Sequence, residues 1–350
     1  MKIGSRKIDK ENSALIIAEL SANHNGSLDL AKKTIQAARK AGADAIKLQT
    51  YTADTITLDC RKEDFKLKQG TIWDGKYLYD LYKEAYTPWE WHEELFKTAA
   101  EEGLICFSSP FDFSAVDFLE KLETPAYKIA SFEITDIPLI EYVASKMKPV
   151  IISTGIARSE DIQLALETCR NAGNNDLILL KCTSSYPAPF DEANLLLIPE
   201  FEKRFGVISG LSDHTLGYIS PIVAITLGAK VIEKHFILDH SIGGPDASFS
   251  LDQKEFGEMV NAVRQAEASL GEITYALTDK QIKGREFSRS LYVTKDIKKG
   301  EKFSHENIRS IRPGFGISPK FFNQIIGSIA TQDIERGESL QWKYIEMETK

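Results

Sequence analysis

The residues of this chain that could do chemistry recur at one kind of place, the far ends of short apolar runs. Glu19 sits near the end of Ala14 to Leu20, and Lys47 and Gln49 lie in Ala45 to Thr50. Ser108 and Ser109 end Leu104 to Ser109, and Lys128 and Ser131 lie in Ala126 to Ser131, with Glu133 just beyond. Ser153 and Thr154 close Pro149 to Thr154, and Lys181 and Thr183 close Leu177 to Thr183, with Ser184 next. Ser212 ends Val207 to Ser212, followed by Asp213 and His214, and Glu233 and His235 lie in Val231 to Phe236. A lysine inside an apolar strand costs several kcal/mol unless a carboxylate or a bound anion meets it. A buried ion pair would satisfy either lysine alone. Lys47 and Lys128 together with Ser131, Ser153, Thr154, Gly155 and Ser212 point to a cradle for a phosphate or carboxylate. Lys47 as a Schiff-base amine is the other chemistry open to it.

Strand periodicity groups these residues, since positions i and i+2 share a face. Lys47 and Gln49 share one, Ser212 and His214 another, and Glu233 and His235 a third. The chain has six histidines, and His214 and His235 stand at the ends of consecutive runs. Two imidazoles on neighbouring strands suit a first-row divalent metal with positions left open for water and substrate. Hydrogen-bonded structural histidines are the alternative.

Eight apolar runs, each followed by a helical pattern, describe βαβ units and a parallel sheet buried on both faces. The intervening segments read as helices: Leu28 to Ala41 stops at Gly42, and Ser159 opens a helix with Glu160 and Asp161 at its positive end. Eight units predict an α/β fold of the (β/α)₈ TIM-barrel type. An open doubly wound sheet is disfavoured because no GxGxxG follows the first run. Catalytic groups of such barrels come from the C-terminal ends of the strands, where the polar residues collect here. The connection from Tyr51 to Tyr86 is long and rich in aromatics, as expected of a binding loop or lid.

After the helix Lys254 to Leu270 the pattern changes. Asp296 to Phe303 (DIKKGEKF) recurs as Asp333 to Leu340 (DIERGESL), 37 positions on, which predicts a small pseudo-symmetric β domain. The expected division is a barrel over residues 1–280 and a second domain over 285–350. That tail carries +3 and the remainder −11, giving the overall −8. An acidic chain is a poor partner for nucleic acid. The uncharged stretch Thr215 to Ala229 is too short for a bilayer span and contains Pro221. The four cysteines, Cys60, Cys106, Cys169 and Cys182, lie far apart, as expected of reduced thiols in a cytoplasmic protein.

The strings IAELSANHNG (Ile17 to Gly26), ADAIKLQTY (Ala43 to Tyr51), YKIASFE (Tyr127 to Glu133), STG (Ser153 to Gly155), KCTSSYP (Lys181 to Pro187), GLSDHT (Gly210 to Thr215), EKHF (Glu233 to Phe236) and GGPD (Gly243 to Asp246) together resemble the sialic acid synthase family. Its members condense phosphoenolpyruvate with an acetamido sugar aldehyde. The tail from Arg285 resembles the family's antifreeze-like (SAF, β-clip) domain. Lys62 to His92 and FSSPF (Phe107 to Phe111) look most like the branch that uses 2,4-diacetamido-2,4,6-trideoxy-altrose to form pseudaminate; members making N-acetylneuraminate or legionaminate are the near alternatives.

The resemblance implies that Lys47, Gln49, Ser109, Lys128, Ser131, Ser153, Ser184, Ser212 and His214 contact phosphoenolpyruvate. It implies that His214 and His235 hold a divalent metal, Mn²⁺ foremost, with Mg²⁺ or Co²⁺ as other occupants. Glu19, Tyr186 and Asp246 fall where the family binds the sugar, and Glu133 where water or a proton is handled. Arg312 matches an arginine that reaches the sugar acetamido group from the partner in a domain-swapped homodimer.

Overall fold

Strands that are apolar on both faces need cover on both, and a barrel wrapped in helices supplies it. The computed structural model describes residues 1–347 apart from Gln69 and Thr71; those two, in the long second connection, and Glu348, Thr349 and Lys350 of the tail lie outside the described residues. The chain divides into two compact units, residues 1–271 and 272–350.

In the first unit eight parallel strands close into a barrel: β1 (Leu15–Glu19), β2 (Ala45–Thr50), β3 (Ile105–Pro110), β4 (Tyr127–Ile129), β5 (Val150–Ser153), β6 (Leu177–Cys182), β7 (Ile208–Asp213) and β8 (Val231–His235), with β8 pairing back onto β1. All eight coincide with the runs expected from sequence. The main helices between and after them are α1 (Leu28–Lys40), α2 (His92–Glu101), α3 (Phe113–Lys121), α4 (Ile137–Ala144), α5 (Ser159–Asn171), α6 (Leu197–Phe205), α7 (Ile219–Thr226) and α8 (Gln253–Leu270). Local chemistry sets their ends. Ser27 caps α1 by accepting from Leu30 N, and Asp252 with Glu255 forms a capping box on α8.

Alternation sorts each strand into two sets. The inward set begins apolar, with Leu15, Ile17, Ala45, Phe107, Ala126, Ile151, Ile178, Leu180 and Val231 in one core. Ile3 and Ile8, from the N-terminal hairpin Lys2–Ile3/Arg6–Lys7, join that core and close the lower end of the barrel. Toward the C-terminal ends the inward set turns polar, and this layer carries the site. The long connection after β2, here called the strap, holds two short helices, Ala53–Ile56 and Leu78–Ala85.

The second unit bears out the internal repeat as a pseudo-twofold. Ile297 and Ile334, equivalent residues of the two copies, exchange backbone hydrogen bonds of 2.9 and 2.8 Å. Asp333 Oδ1 accepts from Lys299 N and Asp296 Oδ1 from Arg336 N, both at 2.8 Å. Each copy thus fastens the turn of the other. Ser290–Val293 pairs with Ile308–Ile311, and Ile329–Ala330 with Ile345–Glu346, around a core that includes Leu291, Phe303, Ile325 and Leu340.

Closure between β7 and β8 depends on Gly210. A Cβ there would lie 2.4 Å from Val231 O and 2.7 Å from Leu180 Cδ2, so neither backbone nor core has room for it. We expect Gly210→Ala to destabilise the protein by about 1–3 kcal/mol through overpacking. Urea denaturation checks this, and a parental midpoint would show that the strands shift apart freely.

Candidate active site

Four charged side chains meet in the polar layer of the barrel. Lys47 Nζ on β2 lies 2.9 Å from Glu19 Oε2 on β1 and 3.5 Å from Glu233 Oε1 on β8. Lys128 Nζ on β4 lies 3.6 Å from the same Glu233 oxygen. All four are buried. Hydroxyls and an amide complete the set: Lys47 donates to Ser109 Oγ (3.4 Å), Ser212 Oγ to Glu233 (3.1 Å), and Gln49 Nε2 to Glu19 Oε1 (2.9 Å) and Ser21 Oγ (3.0 Å).

The lysines therefore do not stand as bare cations awaiting an anion, as two strand lysines first suggest. Each already faces carboxylate. Glu233 is the residue to which sequence reasoning gives no role of its own, although it shares a face with His235. It is the hinge of the cluster.

Burial and neighbours divide the four by protonation. Burial pushes Glu19 up to about 7, although the Lys47 cation opposes it. For Lys47 burial is outweighed by Glu19 and Glu233, so its ammonium form is held more firmly than usual. Lys128 is lowered by burial, which Glu233 does not offset, with the Lys47 charge adding to the effect. Glu233 is lowered despite burial because Lys128 and Lys47 both favour its anion.

Beside this cluster lies a second convergence. Gly155, just past β5, would bring a Cβ within 2.1 Å of Ser184 Oγ and 2.7 Å of Ser131 Oγ, so its bare backbone and two hydroxyls share one small space. Gly155 N donates to Ser131 Oγ at 3.0 Å. Ser153 Oγ, Ser184 Oγ, one oxygen each of Glu133 and Glu233, and His235 Nδ1 are buried without a hydrogen-bond partner. Leaving such a group unpaired costs about 1–3 kcal/mol, and five at one barrel mouth mark a place built for a polar ligand.

The two histidines stand together as expected, with ring centroids 5.3 Å apart. His214 Nδ1 donates to Thr183 O at 2.9 Å, which leaves Nε2 for a ligand. Against the cost of burial, negative charge on the Cys182 sulfur, 3.8 Å from Nδ1, raises this ring's affinity for a second proton, which a cation on Nε2 would displace. His235 is held well below its usual range by burial and by the cations around it, so its ring is neutral. Its Nδ1 lies 3.6 Å from Asp246 Oδ2, which also accepts from Ala22 N at 3.4 Å. Two imidazoles with available nitrogens and a nearby carboxylate fit a divalent cation. Among the described residues another trio of potential ligands meets, His240, Asp252 and Glu255. The capping box of α8 accounts for its two acids, and His240 Nε2 bonds Glu255 at 2.9 Å.

An aromatic wall flanks the histidines. The Tyr186 ring lies 4.4 Å from that of His214 and tilted against it, Phe249 lies 4.9 Å from His235, and Trp73 from the strap reaches Tyr186 at 5.5 Å and Phe249 at 6.4 Å. Trp73 Nε1 donates to Pro245 O, next to Asp246. The strap's abundance of aromatic residues was visible in the sequence; its destination was not. The structure thus brings together Glu19, Lys47, Gln49, Ser109, Lys128, Ser212, His214 and His235, with Tyr186 and Asp246 at the histidines and Ser131 and Ser184 around Gly155. Arg312 lies in the second unit, after the strand Ile308–Ile311.

Comparison with known proteins follows the same lines. The profile of the NeuB family matches residues 34–275 and that of the SAF domain residues 288–346. The chain is 52% identical to pseudaminic acid synthase of Campylobacter jejuni (strain 81-176), covering 97% of this chain and 98% of that one. It is 37% identical to the N,N'-diacetyllegionaminic acid synthase of Legionella pneumophila over 95% of each. The solved structure of the spore coat polysaccharide biosynthesis protein SpsE of Bacillus subtilis superposes with a TM-score of 0.67 at 34% identity, covering 100% of this chain and 99% of that one.

Glu133 offers a test of the electrostatics. Burial pushes it up to about 7 from 4.5, against the pull of Lys128. Between those values the unfolded chain has lost the proton that the folded chain keeps. Stability therefore falls as pH rises through that window, by at most about 3 kcal/mol. We expect Glu133→Gln to bring the urea midpoints measured below and above the window closer together. An undiminished difference would show that Glu133 is not the buried acid.

Proposed function

The chain belongs to the NeuB family, and from that premise we propose that it condenses phosphoenolpyruvate with 2,4-diacetamido-2,4,6-trideoxy-β-L-altrose and water to form pseudaminate and phosphate. The observation that carries this reading is the set of unpartnered buried polar atoms on Glu133, Ser153, Ser184, Glu233 and His235 around two lysines. The Ser153 and Ser184 hydroxyls can donate to a ligand's phosphate and carboxylate, and the open oxygens of Glu133 and Glu233 can accept from water or from the hydroxyl and amide groups of a sugar. The high identity to a pseudaminic acid synthase supports this sugar over that of the legionaminic relatives. The wall of Trp73, Tyr186 and Phe249 fits it too, because a 6-deoxy sugar ends in a methyl group that needs apolar cover.

In this mechanism Lys47 and Lys128, with the hydroxyls of Ser131, Ser153, Ser184 and Ser212, hold the phosphate and carboxylate and fix the enol carbon. His214 and His235 would hold the divalent cation, Mn²⁺ in the first instance, which supplies Lewis-acid polarisation of the sugar aldehyde. The enol carbon forms a bond to the aldehyde carbon, and the carbonyl oxygen takes a proton, for which Glu19 is poised near neutrality. Water adds to the resulting oxocarbenium carbon and gives its proton to Glu133, whose affinity for it is raised. The tetrahedral intermediate then expels phosphate by breaking the C–O bond, the oxygen leaving with the bonding pair. Lys47, held as ammonium by two carboxylates, is a poor Schiff-base nucleophile, which speaks against the aldolase alternative.

We further propose a homodimer in which Arg312 from a partner's second unit completes the sugar site. Exposed Phe132, Ile156, Phe190 and Leu216, on the connections after β4 to β7, give the barrel mouth an apolar rim that a second copy would cover.

With ¹⁸O in the bridging position of phosphoenolpyruvate, the label should leave in phosphate. Label kept in the nine-carbon product would overturn the C–O cleavage, and faster phosphate release with a monoacetamido hexose than with the trideoxy sugar would overturn the choice of substrate. For the dimer, mixing Arg312→Ala subunits with Lys47→Ala subunits under exchange conditions should restore part of the activity that neither has alone. A mixture that exchanges subunits yet stays inactive would place Arg312 in its own chain's site.

A further inference from the structure

Behind the two histidines lies a charged pair that no step of the proposed chemistry uses. Lys234 pairs with Asp213, and their side chains are 0% and 2% exposed. Alternation along β7 and β8 turns Ser212, Glu233 and His235 inward and Asp213 and Lys234 outward, beneath the helix layer. The strand register sets Lys234 directly opposite Asp213. Lys234 Nζ also donates to Thr215 O, the carbonyl of the residue that follows His214. Asp213 in turn accepts from Thr215 N at 3.0 Å and from Thr215 Oγ1 at 3.1 Å. The residues on both sides of His214 are thereby tied to the residue preceding His235.

An ion pair removed wholly from water gains little over an apolar pair of the same volume, so stability alone does not explain its presence in this layer. Its geometry does suggest a use. The clamp joins the end of β7 to β8 at the one level where both imidazoles leave their strands, and those rings stand 5.3 Å apart. We infer that Lys234 and Asp213 are positioning residues, which set the separation and aim of His214 and His235 for a divalent cation. This rests on the metal reading given above. Groups that orient imidazole ligands from behind typically change metal affinity by about 10- to 100-fold when removed.

Lys234→Met alone would strand a buried carboxylate, so the main test is Lys234→Met/Asp213→Asn, in which the Asn oxygen still accepts from Thr215 N. Mn²⁺ binding to the full chain is followed by the loss of the free-ion EPR signal, with thermal unfolding measured on the same samples. The double variant should stay folded, bind Mn²⁺ about 10- to 100-fold more weakly, and recover turnover at saturating Mn²⁺. His235→Ala should not recover. If His235→Ala binds Mn²⁺ as tightly as the parent protein, the metal reading falls and the positioning role with it. If His235→Ala loses the metal while the folded double variant keeps parental affinity, the positioning role alone falls. Should the double variant not fold, Asp213→Asn, in which Lys234 can shed its proton, gives the same affinity readout with the same two outcomes.

Discussion

Glu233 is a carboxylate without solvent, held between the ammonium groups of Lys47 and Lys128, and the upper half of the barrel is arranged around that arrangement of charge. None of the three could be buried alone. Each comes from a different strand, β8, β2 and β4, so the cluster exists only when the barrel is closed and in register. The apolar lower layer, sealed by Ile3 and Ile8, provides that closure. Folding and site assembly are therefore one event. A register slip of one residue on β8 would turn Glu233 out and Lys234 in, leaving like charges facing one another inside.

The same layer explains how neighbouring acids come to differ. Glu233 has two cations and stays ionised, whereas Glu19 and Glu133 have less compensation and are pushed up to about 7 by burial. Carboxyls whose environments separate their proton affinities are what acid–base chemistry at neutral pH needs. The separation follows from how many ammonium groups each acid meets, which its place on or just beyond a strand decides.

Much of this was legible in the sequence. Apolar runs of strand length, alternating with helical patterns, marked all eight strands, and pairing at i and i+2 placed Lys47 with Gln49 and Glu233 with His235. The 37-residue repeat foretold a pseudo-symmetric β domain, within which Asp296 and Asp333 turn out to make reciprocal bonds. What spacing could not supply was contact across the barrel. Lys47 and Lys128 read as free cations because their partners lie on β1 and β8, distant in sequence and brought near only by closure. Trp73 is a similar case: its aromatic character was plain, but the fold of the strap decides that it meets Tyr186 and Phe249. The Lys234–Asp213 pair was hidden for the opposite reason, since both residues adjoin more conspicuous ones and face the other way.

A mixed-charge cluster also bears on how a trianion could bind at all. Lys47 and Lys128 against Glu19 and Glu233 sum to zero when all four are ionised, which is a poor field for phosphoenolpyruvate. On the proposed chemistry, the entering phosphate competes with the carboxylates for the same ammonium groups. Each carboxylate that loses its cation then gains affinity for a proton. Glu19, already near 7, is the first to accept one, and a protonated Glu19 leaves the cluster net positive. Anion binding and loading of the acid are then a single linked step, and the acid that the aldehyde oxygen requires is charged by the arrival of its co-substrate.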